Sequence, residues 1–211
     1  MTYSVKEIYY TLQGEGARTG RAAVFCRFAG CNLWSGREED RSAALCKFCD
    51  TDFIGTNGPG GGAYEKPIDL ALKIASYWPK DVRSELYVVF TGGEPLLQLD
   101  QPLVTALHGQ GFEVAIETNG TLPVPPGVDW VCVSPKAGVE QVVTSGDELK
   151  IVLPQMGMDP LALQDQEFEH RFVQPMDGTN YQASLESCIS FCRNHPNWRL
   201  SLQTHKVMGI P

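Results

Sequence analysis

Three cysteines, Cys31, Cys46 and Cys49, lie close together, with fourteen residues between the first two and two between the last pair. Thiolates are soft ligands that suit zinc, copper(I) and iron–sulfur clusters. Three of them leave one position open on a metal that takes four ligands. A [4Fe–4S] cluster held by three thiolates would keep one iron free for a further ligand. A zinc site needs a fourth ligand at ordinary spacing, and the first histidine after Cys49 is His108, which has no finger-like partner. A thioredoxin-like reading of Cys46-Lys47-Phe48-Cys49 leaves Cys31 idle. The other four cysteines, Cys26, Cys132, Cys188 and Cys192, read as small buried side chains. Cys188 and Cys192, one helical turn apart, fit core packing better than metal binding.

Other polar groups collect at loop positions. Thr91-Gly92-Gly93-Glu94-Pro95 follows the apolar run 86–90 (LYVVF), and its two glycines allow close backbone approach to a ligand. It lacks the G-x-G-x-x-G and G-K-[ST] patterns of nucleotide-phosphate loops. Gln13-Gly14-Glu15-Gly16 sets a carboxylate between glycines, which fits either a tight turn or a ligand loop. Arg27 stands in the apolar run 22–29 (AAVFCRFA), on the strand face opposite Cys26. Its planar guanidinium suits a carboxylate ligand, and a solvated strand edge is the other reading.

Positioning these groups requires a layered α/β framework. Strands are expected at 3–10, 22–29, 86–90, 113–117, 130–134, 148–153, 171–174 and 199–202, from β-branched and aromatic runs. Helices are expected at 67–78, 96–110 and 182–193, with a short one within 159–169. Residues 55–63, with five glycines and a proline, read as a mobile loop, and 36–41 (GREEDR) as a solvent-facing insertion. Alternating β and α units imply a mostly parallel sheet in one domain spanning 1–211. Thr91–Pro95, Glu117–Asn119, Ser134–Lys136 and Gln174–Asp177 all fall at carboxyl ends of strands, the edge where such sheets bind ligands. A net charge of −8 argues against nucleic-acid and membrane-surface partners. No apolar run spans a membrane, and the first ten residues lack a signal-peptide layout, so the expected location is the cytoplasm.

The GGEP tip combined with a cysteine cluster closing in Cys-x-aromatic-Cys resembles the radical S-adenosylmethionine superfamily. That superfamily usually separates the first two cysteines by three residues. The longer interval here resembles the 7-carboxy-7-deazaguanine synthase family within it. The motifs YYTLQGEG, RFAGCNLW, CKFCDTDF, FTGGEPLLQ, ETNGT, SPK, ELK, FVQPMDG and QTHKVMGIP carry that resemblance in order along nearly the whole chain. Glycyl-radical activases keep the short spacing and lack LQGEG.

The resemblance implies a reduced, partial (β/α) barrel with few helices and an extended cluster loop at 31–63. It implies a [4Fe–4S] cluster on Cys31, Cys46 and Cys49, with S-adenosylmethionine on the open iron. Gly93 and Glu94 of the GGEP tip would meet the methionine amino group and Phe48 the adenine. Glu117, Asn119, Ser134, Pro135 and Lys136 would line one stretch of that cofactor, and Gln174, Pro175, Met176 and Asp177 another. Leu12, Gln13, Gly14, Glu15, Arg27 and Thr91 would hold a pterin, helped by His205 and the carboxylate of Pro211. Thr51 would ligate Mg²⁺. The implied activity is that of a carbon–nitrogen lyase: hydrogen abstraction from C6 of 6-carboxy-5,6,7,8-tetrahydropterin, ring contraction, loss of ammonia and release of 7-carboxy-7-deazaguanine. S-adenosylmethionine would be regenerated, and no protein side chain is assigned the radical step. The family further implies a homodimer, an electron donor such as flavodoxin and a place in queuosine or other 7-deazapurine biosynthesis. The rival readings are another radical enzyme, such as a glycyl-radical activase, and a zinc-binding module.

Overall fold

The computed structural model describes residues 2–82 and 84–211. Strands β1 (Tyr3–Leu12), β2 (Ala22–Phe28), β3 (Gly62–Tyr64), β4 (Tyr87–Gly92), β5 (Glu113–Thr118), β6 (Trp130–Val133), β7 (Ser145–Leu153), β8 (Glu167–Pro175) and β9 (Arg199–Leu200) form one sheet. Its order is β3-β1-β2-β4-β5-β6-β7-β8-β9, with β3 and β9 as edges, so it is not a closed barrel. The β1–β2 and β1–β3 pairs are antiparallel and the remaining six are parallel. Helices α1 (Pro67–Ala75), α2 (Gln101–His108), α3 (Tyr181–Asn194) and α4 (Thr204–Met208) accompany it. Among the described residues, no helix is long and apolar enough to cross a membrane.

Strand register divides the side chains between two faces, because paired residues point the same way and neighbours along a strand point oppositely. Cys26, Phe90 and Ile116 share one face, continued by Val133, Leu149, Ile151 and Val173. All are at most 0% exposed and pack with Leu70 and Ile74 of α1, Leu103 and Leu107 of α2, or Cys188 of α3. Burying each large apolar side chain of this layer stabilises the fold by about 1.5–3 kcal/mol. The opposite face carries Tyr9, Phe25, Arg27, Thr91, Glu117, Lys150 and Gln174. A sheet with one apolar and one polar-aromatic face leaves the second free to bind.

A β-bulge between Val5 and Glu7 alters β1 beside this face. The extra residue breaks the period-two alternation and re-aims side chains. Glu7 therefore comes opposite Arg27, while Lys6 turns to the carbonyl of Ile54 (2.9 Å) and to Asn57 (2.9 Å) at the end of the cluster loop.

Four expectations need correction. Residues 62–64 are strand β3 on the edge of β1, and the preceding glycines are pressed against β1. Pro59 O accepts from Ile8 N–H at 2.7 Å, and a Cβ on Gly58 would lie 2.7 Å from that of Glu7. The glycines there permit close packing rather than mobility. The 96–110 helix is instead a 3₁₀ turn, Pro95–Leu97, followed by α2. Pro102 cannot sit inside a helix but fits its first turn, and Asp100 caps it by accepting from Leu103 N–H at 3.1 Å. The short helix expected within 159–169 is present as Pro160–Leu163, but the strand expected at 171–174 starts earlier, because the alternation of Phe168 and Phe172 extends β8 back to Glu167. Finally, the charged insertion is not wholly solvent-facing, since Arg41 stacks over the Trp34 ring at 4.0 Å.

Candidate functional site

The polar face of the sheet and the loops at its carboxyl edge enclose two adjoining lobes. The first is walled by the three cysteines. β2 runs through Gly30 into Cys31, and the Gly30 carbonyl accepts from Glu94 N–H at 3.0 Å. That contact presses the β4 tip onto the cysteine loop so closely that a Cβ on Gly93 would lie 2.6 Å from the Cβ of Cys31. Two glycines are needed at 92 and 93 for this packing, before any ligand is considered.

The fourteen-residue interval is an excursion whose ends meet. Leu33 O accepts from the N–H groups of Leu45 (3.1 Å) and Cys46 (3.3 Å), so Cys46 returns beside the Cys31 segment. Trp34 packs edge-on against Phe53 and donates to Arg37 O at 3.1 Å. Arg41, stacked on Trp34, donates to the carbonyls of Lys47 (2.9 Å) and Cys49 (3.0 Å). The insertion thus braces the Cys46–Cys49 turn. Burial pushes the Cys31 and Cys46 thiols up from their ordinary range, partly offset at Cys46 by the nearby Lys136 charge. Loading such a site with metal releases protons. Among the described residues, no three His, Cys, Asp or Glu side chains converge tightly enough to hold a single ion. The three thiols line the first lobe together, and three thiolates are the ligand set that leaves one iron of a [4Fe–4S] cluster open.

Phe48, Gly93, Glu117, Asn119, Ser134, Lys136, Gln174, Pro175, Met176 and Asp177 also line this first lobe. Two residues expected with them do not. Pro135 is absent from the wall, and the Glu94 carboxylate is fully buried. It accepts from Thr118 Oγ1 (2.7 Å) and from the N–H groups of Asn119 (2.8 Å) and Leu96 (2.9 Å). Glu94 ties the β4 and β5 tips together, with only its backbone near the lobe. Burial raises its pKa, and those three hydrogen bonds pull the other way.

Leu12, Gln13, Gly14, Glu15, Arg27, Thr91, His205 and Pro211 all line the second lobe. Arg27 Nε donates to Glu7 at 2.8 Å and its Nη2 to Tyr9 Oη at 2.9 Å, which fixes the guanidinium plane. The C-terminal segment is drawn in by Thr204, whose N–H and Oγ1 donate to Gly14 O at 3.0 and 2.9 Å, and by Thr11 Oγ1, which donates to Pro211 O at 2.9 Å. Gly14 makes room for the His205 ring, since a Cβ there would meet it. Lys206 reaches Asp50 (2.7 Å) and Asp177 (2.6 Å), linking α4 to the cluster loop and the β8 tip.

The lobes share Glu15, Thr51, Thr91, Glu117 and Asp177 and are therefore one cavity. At their junction Lys150 donates to Glu15 (2.5 Å) and Glu117 (3.1 Å), Gln13 donates to Glu117 (2.9 Å) and Gln203 to Glu15 (3.0 Å). Burial opposes ionisation of Glu15, but the Lys150 charge and the hydrogen bonds from Lys150, Gln203 and Gln174 hold its pKa down at about 2. Sequence reasoning missed Glu7, Tyr9, Phe25, Trp34, Lys150, Gln203 and Lys206. Lys150 left one readable sign, a lone lysine inside the apolar run LKIVL.

No family model matches the chain. A 7-carboxy-7-deazaguanine synthase from Bordetella pertussis is 61% identical over 211 residues, covering 100% of both chains. The protein of that name from Burkholderia multivorans is 58% identical over 211 residues, again covering 100% of both. The crystal structure of QueE from Escherichia coli superposes with a TM-score of 0.70 at 30% identity, covering 96% of this chain and 94% of that one.

Proposed function

The chain belongs to the 7-carboxy-7-deazaguanine synthase family of radical S-adenosylmethionine enzymes, and from that premise we propose that it converts 6-carboxy-5,6,7,8-tetrahydropterin to 7-carboxy-7-deazaguanine with loss of ammonia. The observation that carries this reading is the joining of a three-cysteine lobe to a lobe built around Gln13, Glu15 and Arg27. Cys31, Cys46 and Cys49 would hold the [4Fe–4S] cluster, and three soft thiolates with no histidine beside them among the described residues support that assignment. When bound, the cluster and S-adenosylmethionine supply reversible hydrogen-atom abstraction at carbon.

Everything else falls to this chain's own groups. Gly93, with the β5, β6 and β8 tips (Glu117, Asn119, Ser134, Lys136 and Gln174–Asp177), would hold S-adenosylmethionine, and Phe48 would cover its adenine. Arg27 would pair with the substrate carboxylate through the guanidinium edge that Glu7 and Tyr9 leave free. Glu15, ionised and acceptor-only, would receive N–H donors of the pterin edge, while Gln13 supplies both donor and acceptor. The Pro211 carboxylate, His205, Leu12, Gly14 and Thr91 would complete that lobe. Thr51, on the boundary of both lobes, offers a hard oxygen to a Mg²⁺ that shares the substrate. Phe25 and Tyr9, stacked at 5.6 Å, present an apolar wall to the pterin ring and exclude water from it. The resemblance alone supports the remaining readings: residues 1–211 working as a single domain, a cytoplasmic homodimer, reduction by a donor such as flavodoxin, and supply of 7-deazapurines such as queuosine.

The test is anaerobic reconstitution with iron and sulfide, followed by reductant, S-adenosylmethionine, Mg²⁺ and the carboxy-tetrahydropterin. The deazaguanine should be detected by mass and vanish in Cys31→Ala. A brown protein that cleaves S-adenosylmethionine without that product would overturn the substrate, and a colourless zinc protein would overturn the class.

A further inference from the structure

We propose that Lys150 is the positioning residue of the junction between the two lobes, holding Glu15 and Glu117, the carboxylates that line both, with a single buried ammonium. The inference rests on the reading above in one respect, that Glu15 faces the substrate.

Lys150 lies in β7, between β6 and β8, with its side chain 4% exposed, and its Nζ reaches carboxylates on two other elements, the 13–16 loop and β5. A cation this deep in a sheet must be paired, because an unpaired buried charge is strongly destabilising. The groups around it divide the work unequally. Glu148, on the same face of β7, is occupied by Ala17 N–H at 3.0 Å and Trp130 Nε1 at 2.7 Å. Cys132 of β6, fully enclosed, is held as a thiol by burial. Lys136, at the β6 tip, donates to Ser134, and burial draws its pKa down from the ordinary lysine range. Gln174 and Gln203 reinforce Glu15, and Gln13 reinforces Glu117. One ammonium thus serves two carboxylates, with neutral donors completing each.

The consequence is chemical. With Lys150 present, Glu15 stays ionised to about pH 2 and only accepts hydrogen bonds. Without it, burial dominates, Glu15 takes up a proton at a higher pH, and one of its oxygens becomes a donor facing the donors of the substrate. Glu15 is depressed by Lys150, so the interaction is fully present above the ordinary glutamate range and is lost as pH falls towards 2.

Two variants test this, Lys150→Met and the pair Lys150→Met/Glu117→Gln, which keeps the net charge of the cluster at its parental value and so limits the destabilisation if the single variant fails to fold. In protein labelled with ¹³C at the glutamate carboxyl, Glu15 (assigned with Glu15→Gln) should remain ionised down to about pH 3 in the parent and titrate above about pH 5 in both variants. In turnover assays both variants should gain an acidic limb in kcat/KM that the parent lacks, with the pterin KM raised at least about tenfold at pH 7. An unchanged Glu15 titration, or a KM rise with no change in the pH profile, would overturn the inference and leave Lys150 a packing residue. If the parent makes no deazaguanine while Glu15 titrates as expected, the substrate reading falls and the role of Lys150 stands.

Discussion

Gly93→Ala is the substitution whose effect follows most directly from the geometry. A Cβ at this position would sit 2.6 Å from the Cβ of Cys31, 0.4 Å inside the 3.0 Å that real Cβ contacts respect, and closer still to the Gly30 carbonyl oxygen. Neither neighbour can yield cheaply. The Gly30 carbonyl is backbone held by Glu94 N–H, and Glu94 is in turn fixed by Thr118 and Asn119. Overpacking of a well-filled site costs about 1–3 kcal/mol, and losing the Gly30–Glu94 hydrogen bond adds about 1 kcal/mol. The expected loss of stability is therefore about 2–4 kcal/mol, with the β4 tip and the Cys31 segment forced apart. Gly109→Ala is the control, since its nearest non-neighbouring atom is 3.3 Å away and it ends α2 in a helical conformation, so it should change stability by less than about 1 kcal/mol. Urea unfolding and iron content after reconstitution check both. The iron content of Gly93→Ala should fall well below that of the parent. A variant with parental stability and full iron loading would refute the argument that these glycines exist to bring strand tip and cysteine loop together.

Other expectations concern the second lobe. Arg27→Lys should keep the cluster while lowering kcat/KM about 100-fold, because an ammonium replaces a fork already oriented by Glu7 and Tyr9; steady-state kinetics with full activity would remove the carboxylate clamp. Residues appended after Pro211 should raise the pterin KM, since they convert the terminal carboxylate held by Thr11 into an amide; an unchanged KM would exclude that terminus from binding. Thr51→Ala should shift the Mg²⁺ dependence of turnover several-fold and leave iron content alone, and an unaltered metal response would count against Thr51 as a ligand.

Local chemistry was readable from sequence wherever it was short-range. The run LYVVF announced β4 because all of Val88, Val89 and Phe90 are buried, and the polar residues after it had to emerge at the strand tip. Arg27 drew notice because a charge in an apolar strand needs a partner, which Glu7 and Tyr9 supply, whereas Gln13 and Glu15 fitted a turn as well as a ligand loop and were named only through the resemblance. What stayed hidden depends on long-range register. The bulge at Lys6 decides that Glu7 faces Arg27, and no pattern within β1 marks it. Arg41 looked like one charge in a solvated run, yet it braces the cluster turn and stacks on Trp34, seven positions earlier, through the fold of the 3₁₀ turn Glu38–Ala43. Glu94 was named as a ligand only through the resemblance, and its carboxylate here ties the β4 tip to Thr118 and Asn119 of β5 and the loop after it. β3 was invisible since it is three residues long and follows glycines, Gly58 and Gly61, that give clearance against β1 and carry no strand propensity.

The central claim is that one cavity joins a radical-generating lobe to a pterin lobe and uses S-adenosylmethionine catalytically. The most direct test counts two species in one anaerobic vessel, the deazaguanine formed and the S-adenosylmethionine remaining. The account predicts product in excess of S-adenosylmethionine consumed, rising with the pterin supplied. Consumption of S-adenosylmethionine to 5′-deoxyadenosine with no deazaguanine would contradict it.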